Sequence, residues 1–193
     1  SKGHGAPALH AVLESKGIKP SWTIHLEYDE KRGISATGGS LGQGLSIALG
    51  RAYAKKLQNK PGKVYCMIGD GELQEGMIWE SLNIANKLDI TNLIVLVDWN
   101  KYQAISSIKE IMNEDYFSIK KKFEAFGYTV TKVNGHDEKS LEIICGLSKG
   151  LNVVILDTQK GKGIPFLEKN PSFHVIYMHE RPEVMKEALE YLK

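Results

Sequence analysis

The sequence predicts an α/β fold of three layers, a mostly parallel sheet flanked by helices. Three observations predict it. The apolar runs in "KVYCMIGDG" and "NLIVLVD" are short and continuous, as strands covered on both faces are. The stretch between them, "EGMIWESLNIANKLDI", places Ile78, Leu82, Ala85 and Leu88 at helical spacing, which makes a strand–helix–strand unit. The alternation continues towards the C-terminus, the order expected of parallel strands joined by crossover helices.

The elements follow in chain order. "APALHAVLESKG" carries Leu9, Val12 and Leu13 at helical spacing and closes on Gly17, a suitable helix C-cap. A loop holding Pro20 leads to "GISATGGSLGQGLSIALGRAYAKKLQ", a Gly/Ser/Thr cluster running into a helix with Leu41, Leu45, Ala48, Leu49 and Ala52 on one face. After the two strands and the helix between them come a helix near 116–126 and a strand at "YTVTKV". A helix near 138–148, begun by "GHDEKS", and a strand at "NVVILDT" complete the alternation. "KGKGIPF", Pro171 and Pro182 mark a surface excursion before a terminal helix, "RPEVMKEALEYLK". At 193 residues, with neither repeat nor linker, one domain over 1–193 is expected.

Composition narrows the function. The 25 Lys and Arg against 23 Asp and Glu give a net charge of +2, no electrostatic case for nucleic acid or a membrane surface. No apolar run reaches a membrane span, and "SKGHGAPALH" lacks the sectors of a signal peptide, so a soluble protein is expected. Cys66 and Cys145 lie in apolar surroundings without metal-ligand spacing and are expected to be buried free thiols, which fits a cytoplasmic location.

The chemistry is expected at the carboxyl ends of the strands, where open α/β sheets bind ligands. Asp70 follows one strand and Asn100 the next, about one crossover apart, so their side chains can converge. Alone, either residue reads as turn chemistry. Together they offer hard oxygen donors, which suit Mg²⁺ completing its shell with phosphate and water. The glycines of "TGGSLGQG" precede a helix and either present N–H groups to an anion or permit close helix packing. Neither the P-loop nor the dinucleotide pattern fits them. His4 and His174 lie in loops and are open to a polar task, whereas His10 and His25 have no informative context. His136 with Asp137 reads as a turn and N-cap, His179 flanks the last helix, and Glu75 and Glu80 read as first-turn acids.

Taken in order, "SKGHG", "GGSLGQG", "GDGELQEG", "DWNKYQ", "GHD" and "KGKG" resemble the diphosphate-binding domain of transketolases over nearly the whole chain, above all the split form whose halves are separate subunits. The resemblance implies the thiamine-diphosphate-binding fold and a metal, Mg²⁺ or Ca²⁺, held by Asp70, Asn100 and the backbone carbonyl of Tyr102. It places His4, Gly39, Ser40 and Leu41 against thiamine diphosphate, with Gly69, Gly71 and Glu72 around its diphosphate. It gives His4 and His174 catalytic positions, His174 near the entering sugar, and sets Glu75 and Glu80 at the interface between subunits. It further implies transfer of a two-carbon ketol unit from a ketose or its phosphate to an aldose. The resemblance also implies a partner, a pyrimidine-binding subunit carrying the activating glutamate, in an α2β2 assembly.

The chain departs from that pattern. About fifty residues that usually precede "SKGH", with a further Gly-His motif, are expected to be lacking. Ala104 stands where a bulkier side chain often packs on the thiazolium, and "FHV" replaces "WHG". These departures suit a specialised sugar pathway. The rival expectations are another reaction on the same cofactor fold, by a 2-oxo acid dehydrogenase or deoxyxylulose phosphate synthase type of subunit, or a non-catalytic assembly subunit. "SKGHG" with "SLGQG" favours transketolase.

Overall fold

The computed structural model describes residues 1–147, 150–174 and 178–191. Its centre is a sheet of four parallel strands in the order β1-β2-β4-β3, formed by Val64–Gly69 (β1), Leu93–Trp99 (β2), Thr129–Asn134 (β3) and Asn152–Asp157 (β4). The helices are Ala6–Ser15 (α1), Gln43–Leu57 (α2), Gly76–Lys87 (α3), Ile108–Met112 (α4), Tyr116–Ala125 (α5), Glu138–Gly146 (α6), Pro165–Lys169 (α7) and Pro182–Tyr191 (α8). The four strands and the longer helices expected from the apolar periods are present, and the short α4 and α7 are additional. Helices this short carry too few turns to leave an apolar period.

Local chemistry sets the ends. Gly17, with φ of 77°, follows α1 and donates to the Glu14 carbonyl, while Ile18 donates to that of Leu13, closing the helix in a left-handed cap. The Asp137 carboxylate accepts from Ser140 N at 3.0 Å and caps α6, as "GHDEKS" suggests. The expected end of that helix at 148 lies outside the described residues.

The larger core packs α2, α3 and α5 on one face of the sheet, where Leu45, Ile68, Ile78, Leu82, Val95 and Phe123 are fully buried. The opposite face is thinner: Ile94, Leu96, Val133, Val154 and Leu156 meet Ile144 of α6. β2 and β4, flanked on both sides, are buried almost throughout. β1 is not. Its Cys66 and Ile68 point into the core, but Tyr65 and Met67 are 46% and 44% exposed, which corrects the expectation of a strand covered on both faces. β1 is an edge strand beyond the reach of α6, and a groove of about 310 Å³ runs along it between Leu9, Ile34 and Ile47.

Three further expectations are corrected. α1 buries Ala6 and His10, whereas Leu9 and Val12 are exposed, because the helix lies against the loop carrying Trp22 and Thr23. Leu41 is exposed and precedes α2, because positive φ at Gly42 delays the helix. Cys145 is exposed: α6 touches the sheet through Ile144, and the next residue faces outward. Cys66 remains buried, its thiol pushed up to about 11 by burial. Among the described residues no helix is long and apolar enough to cross a membrane.

Phe123 joins α5 to α3, its ring 5.3 Å from that of Trp79. Replacing it by alanine removes a fully buried ring, so Phe123→Ala is expected to cost about 3–5 kcal/mol in urea unfolding. A loss below about 1 kcal/mol would contradict this packing.

Candidate active site

β1 and β2 pair in register from Val64 with Leu93 to Gly69 with Asp98, so both leave the sheet at the same edge. Beyond Gly69 the chain turns at once into a 3-10 segment, Asp70–Gln74, held from below by the Trp79 indole N–H donating to the Leu73 carbonyl at 2.8 Å. Asp70 is only 3% exposed. Its Oδ1 accepts from Gly71 N at 2.9 Å and its Oδ2 from Lys101 N at 2.5 Å. Lys101 directly follows Asn100, whose Oδ1 accepts from Tyr102 N at 3.0 Å in an Asx turn. The structure thus brings Asp70, Asn100 and Tyr102 together.

The loops in front of the strand ends are packed by small residues. A Cβ on Gly3 would lie 2.8 Å from His25 Cδ2 and 3.0 Å from Gly39 Cα; one on Gly39, where φ is 116°, would lie 3.2 Å from His25 Nδ1. Glycine is required at both positions for "SKGHG" and "TGGSLGQG" to close on the His25 ring. His4 then stands 5.1 Å from His25 and, edge to face, 4.5 Å from His174, measured between ring centres. Partial burial holds His4 below the ordinary imidazole range, helped by His25, Lys2 and Lys160; it does the same for His174, helped by His4, Lys160 and Lys2. Both rings are therefore neutral at pH 7. Ser40 and Leu41, which follow Gly39, are exposed. The residue after His174 lies outside the described residues.

Glu72 is 1% exposed and commits both oxygens to the fold: Oε1 accepts from Gly42 N and Oε2 from Gly69 N, each at 2.8 Å, with the Ser1 hydroxyl also donating. Its place in the site is a strut between the glycine loop and the end of β1. Glu75 is half-buried, its side chain close to Gly42, and Glu80 is exposed on α3.

Four further residues of the site are not singled out by the sequence: His25, and Lys2, Asp98 and Lys160, although these three lie inside "SKGHG", "DWNKYQ" and "KGKG". His25 takes its role from packing across an irregular loop that has no period. Asp98, at the end of β2, pairs with Lys2 and accepts from Thr158 Oγ1. Burial pushes its carboxyl up, but the Lys2 ammonium and the bonds from Lys2, Thr158 and Asn100 outweigh that and hold it low. The ammonium of Lys160, in "KGKG", is buried without a hydrogen-bond partner among the described residues. Burial lowers its pKa, as does Lys2, while the Asp70 charge opposes them.

Two acids and two lysines thus face one another at the strand ends with two neutral histidines alongside. Among the described residues no three His, Cys, Asp or Glu side chains form a metal cage. The donors at hand are a carboxylate, an amide oxygen and a backbone carbonyl, an incomplete hard-oxygen set that leaves room for phosphate oxygens and water around a divalent cation. A buried carboxylate and a buried ammonium that has no hydrogen-bond partner among the described residues are groups whose burial a bound cation and anion would compensate.

The family described as "Transketolase, thiamine diphosphate binding domain" matches residues 12–174. The chain belongs to this transketolase family. It is 35% identical over 211 aligned positions to a 6-deoxy-6-sulfo-D-fructose transketolase subunit of Clostridium sp., covering 100% of this chain and 74% of the relative. It is 36% identical, with the same coverage, to an apulose-4-phosphate transketolase subunit of Actinobacillus succinogenes. The crystal structure of transketolase from Campylobacter jejuni superposes with a TM-score of 0.78 at 29% identity, over 98% of this chain and 33% of that one. The chain therefore spans about a third of the solved enzyme and three-quarters of the subunits it matches.

Burial raises the Asp70 carboxyl to about 6, with the Asp98 charge adding to it and the Lys101 and Gly71 N–H groups opposing. Above its unfolded value of 3.8, the folded chain holds this proton longer than the unfolded chain. The contribution of Asp70 to the stability of the metal-free protein thus falls as pH rises from about 4 to about 6, and the loss is complete above that. Asp70→Asn removes the buried charge together with one acceptor. It is expected to raise stability by about 1–2 kcal/mol at pH 7.5 in chelator, and to give no gain at pH 4, in urea unfolding. A destabilised variant at pH 7.5 would contradict an uncompensated charge.

Proposed function

We propose that this chain is the diphosphate-binding subunit of a thiamine diphosphate-dependent transketolase acting on a specialised sugar, with 1–193 as one binding domain. The observation that carries the proposal is the buried Asp70 carboxylate, bonded to the N–H that follows Asn100 and near enough for its charge to act on the buried ammonium of Lys160, which has no hydrogen-bond partner among the described residues. Asp70 Oδ atoms, Asn100 Oδ1 and the Tyr102 carbonyl would hold Mg²⁺ or Ca²⁺. Lys160, the N–H of Gly71 and the neutral imidazoles of His4 and His174 would hold the diphosphate and orient the sugar. Gly39, Ser40 and Leu41 would lie against the cofactor, Leu41 offering an exposed apolar surface to a ring. Gly69 and Glu72 would act by fixing the loops on either side.

When bound, thiamine diphosphate supplies the electron sink for cleaving and re-forming the ketose carbon–carbon bond. This chain's residues supply position and charge. Asp70 stays ionised once a cation neutralises its burial, since a metal favours the deprotonated carboxylate. Neutral His4 and His174 can each donate one hydrogen bond and accept another at a sugar hydroxyl, which protonated rings could not.

The glutamate that activates the cofactor is proposed to come from a second, pyrimidine-binding subunit in an α2β2 assembly in the cytoplasm, meeting this chain near Glu75 and Glu80. In support, two of the similar proteins are themselves named as transketolase subunits. Their names, for a sulfo-sugar and for apulose 4-phosphate, favour a specialised pathway over pentose metabolism.

Titration calorimetry of thiamine diphosphate, with and without the partner, is expected to show binding that requires Mg²⁺ and disappears in Asp70→Ala. Lys160→Ala is expected to weaken it about 10- to 100-fold, the loss of a charged bond to the diphosphate. Binding indifferent to metal and to both changes would overturn the site. The reconstituted pair is expected to transfer a ketol unit to an aldose; decarboxylation of pyruvate instead would place the chain with the 2-oxo acid enzymes.

A further inference from the structure

Lys101 is the residue on which the loop after β2 turns. Its N–H donates to Asp70 Oδ2 at 2.5 Å, and its carbonyl accepts from Ile108 N at 2.9 Å. Gln103 N to Ser106 O, at 3.0 Å, and the bridge between Tyr102 and Ser107 close the rest of the loop. These bonds require φ of 72° at Lys101, a left-handed conformation that a lysine adopts only under constraint. If that residue relaxed, its N–H would leave Asp70, and Asn100 and Tyr102 on either side would turn with it.

The constraint is visible in the side chain. Lys101 Nζ lies 2.7 Å from Asp157 Oδ1, and the other oxygen of the same carboxylate lies 2.8 Å from Lys132 Nζ. Asp157 ends β4, paired in register with Trp99 of β2 and Asn134 of β3, so its backbone is fixed on both sides. Lys132 is fixed in turn, on β3 and 4.9 Å over the Tyr116 ring. Burial pushes the Asp157 carboxyl up, but the two lysines outweigh it and keep it ionised. An ion pair this exposed contributes little, and so does relief of strain at one left-handed residue; because the two are of similar size, one can decide the other.

We propose that Asp157 is a positioning residue: its pair with Lys101 holds the left-handed turn that presets Asp70, Asn100 and Tyr102 for the metal–diphosphate group. Among the described residues no hydrogen bond or ion pair joins Asp157 to Asp70, Asn100, Tyr102 or the glycine loop. The value of this presetting for the metal rests on the function proposed above; the hold on the loop does not.

Amide hydrogen exchange of the full chain, free of metal and cofactor, reads that hold directly. Asp157→Asn is expected to speed exchange at the amide of position 101 about threefold to tenfold while leaving the β2 amide of Val97 unchanged, and Asp157→Glu to restore it. Lys101→Gly, which accepts positive φ without strain, is expected to remove the sensitivity, so that adding Asp157→Asn to it changes nothing further. Mg²⁺-dependent affinity for thiamine diphosphate is expected to follow the same pattern, about threefold to tenfold weaker in Asp157→Asn alone. The proposal is overturned if exchange at position 101 is unchanged in Asp157→Asn, or if the acceleration persists in the Lys101→Gly background. A native chain that binds no cofactor while the exchange pattern holds would refute the proposed function and leave the positioning role standing.

Discussion

The parallel, in-register pairing of β1 with β2 is the constraint on which the site depends. It forces the two strands to leave the sheet side by side, Gly69 against Asp98, and so delivers Asp70 and Asn100 to the same edge. Parallel neighbours need a crossover, and α3 supplies it with Ile78, Leu82 and Ala85 buried against the sheet. The Trp79 indole on that helix then holds the carbonyl of Leu73, near the end of the Asp70 turn. One strand–helix–strand unit therefore makes both the core and the platform.

Around this platform the polar groups are arranged to be incomplete. Glu72 is buried and fully satisfied, which lets it serve as a strut between Gly42 and Gly69. Asp70 is nearly as buried and has two N–H donors, and among the described residues it has no ion-pair partner and Lys160 has no hydrogen-bond partner. Two buried carboxylates two residues apart in sequence thus differ in purpose because their hydrogen-bond environments differ. Glu72 bridges two loops, whereas Asp70 accepts only from N–H groups next to the strand ends.

Much of this is legible in the sequence, and the boundary of legibility is physical. β2 announces itself because five consecutive buried residues leave an unbroken apolar run. β1 is nearly as apolar, yet hydrophobicity does not say whether a strand lies at an edge, and its Tyr65 and Met67 face outward. The period of α1 locates the helix but points to the wrong inward face, because the loop it packs against has no period to read. That Asp70 and Asn100 lie close together is legible from strand-end position and crossover spacing. His25 is not, since only the contact of Gly3 and Gly39 with its ring brings it to His4.

By itself the sequence determined the order of strands and helices, the Asp70–Asn100 spacing and, through its ordered motifs, the transketolase family. These depend on local periods and on residues at fixed separations, which the chain carries in one dimension. Tertiary structure alone decided which carboxylate ties two loops together and which accepts only from neighbouring N–H groups, which buried ammonium has no hydrogen-bond partner among the described residues, and how Asp157 reaches Lys101 from a different strand. Each depends on burial and on partners far apart along the chain, and neither quantity exists until the sheet has formed.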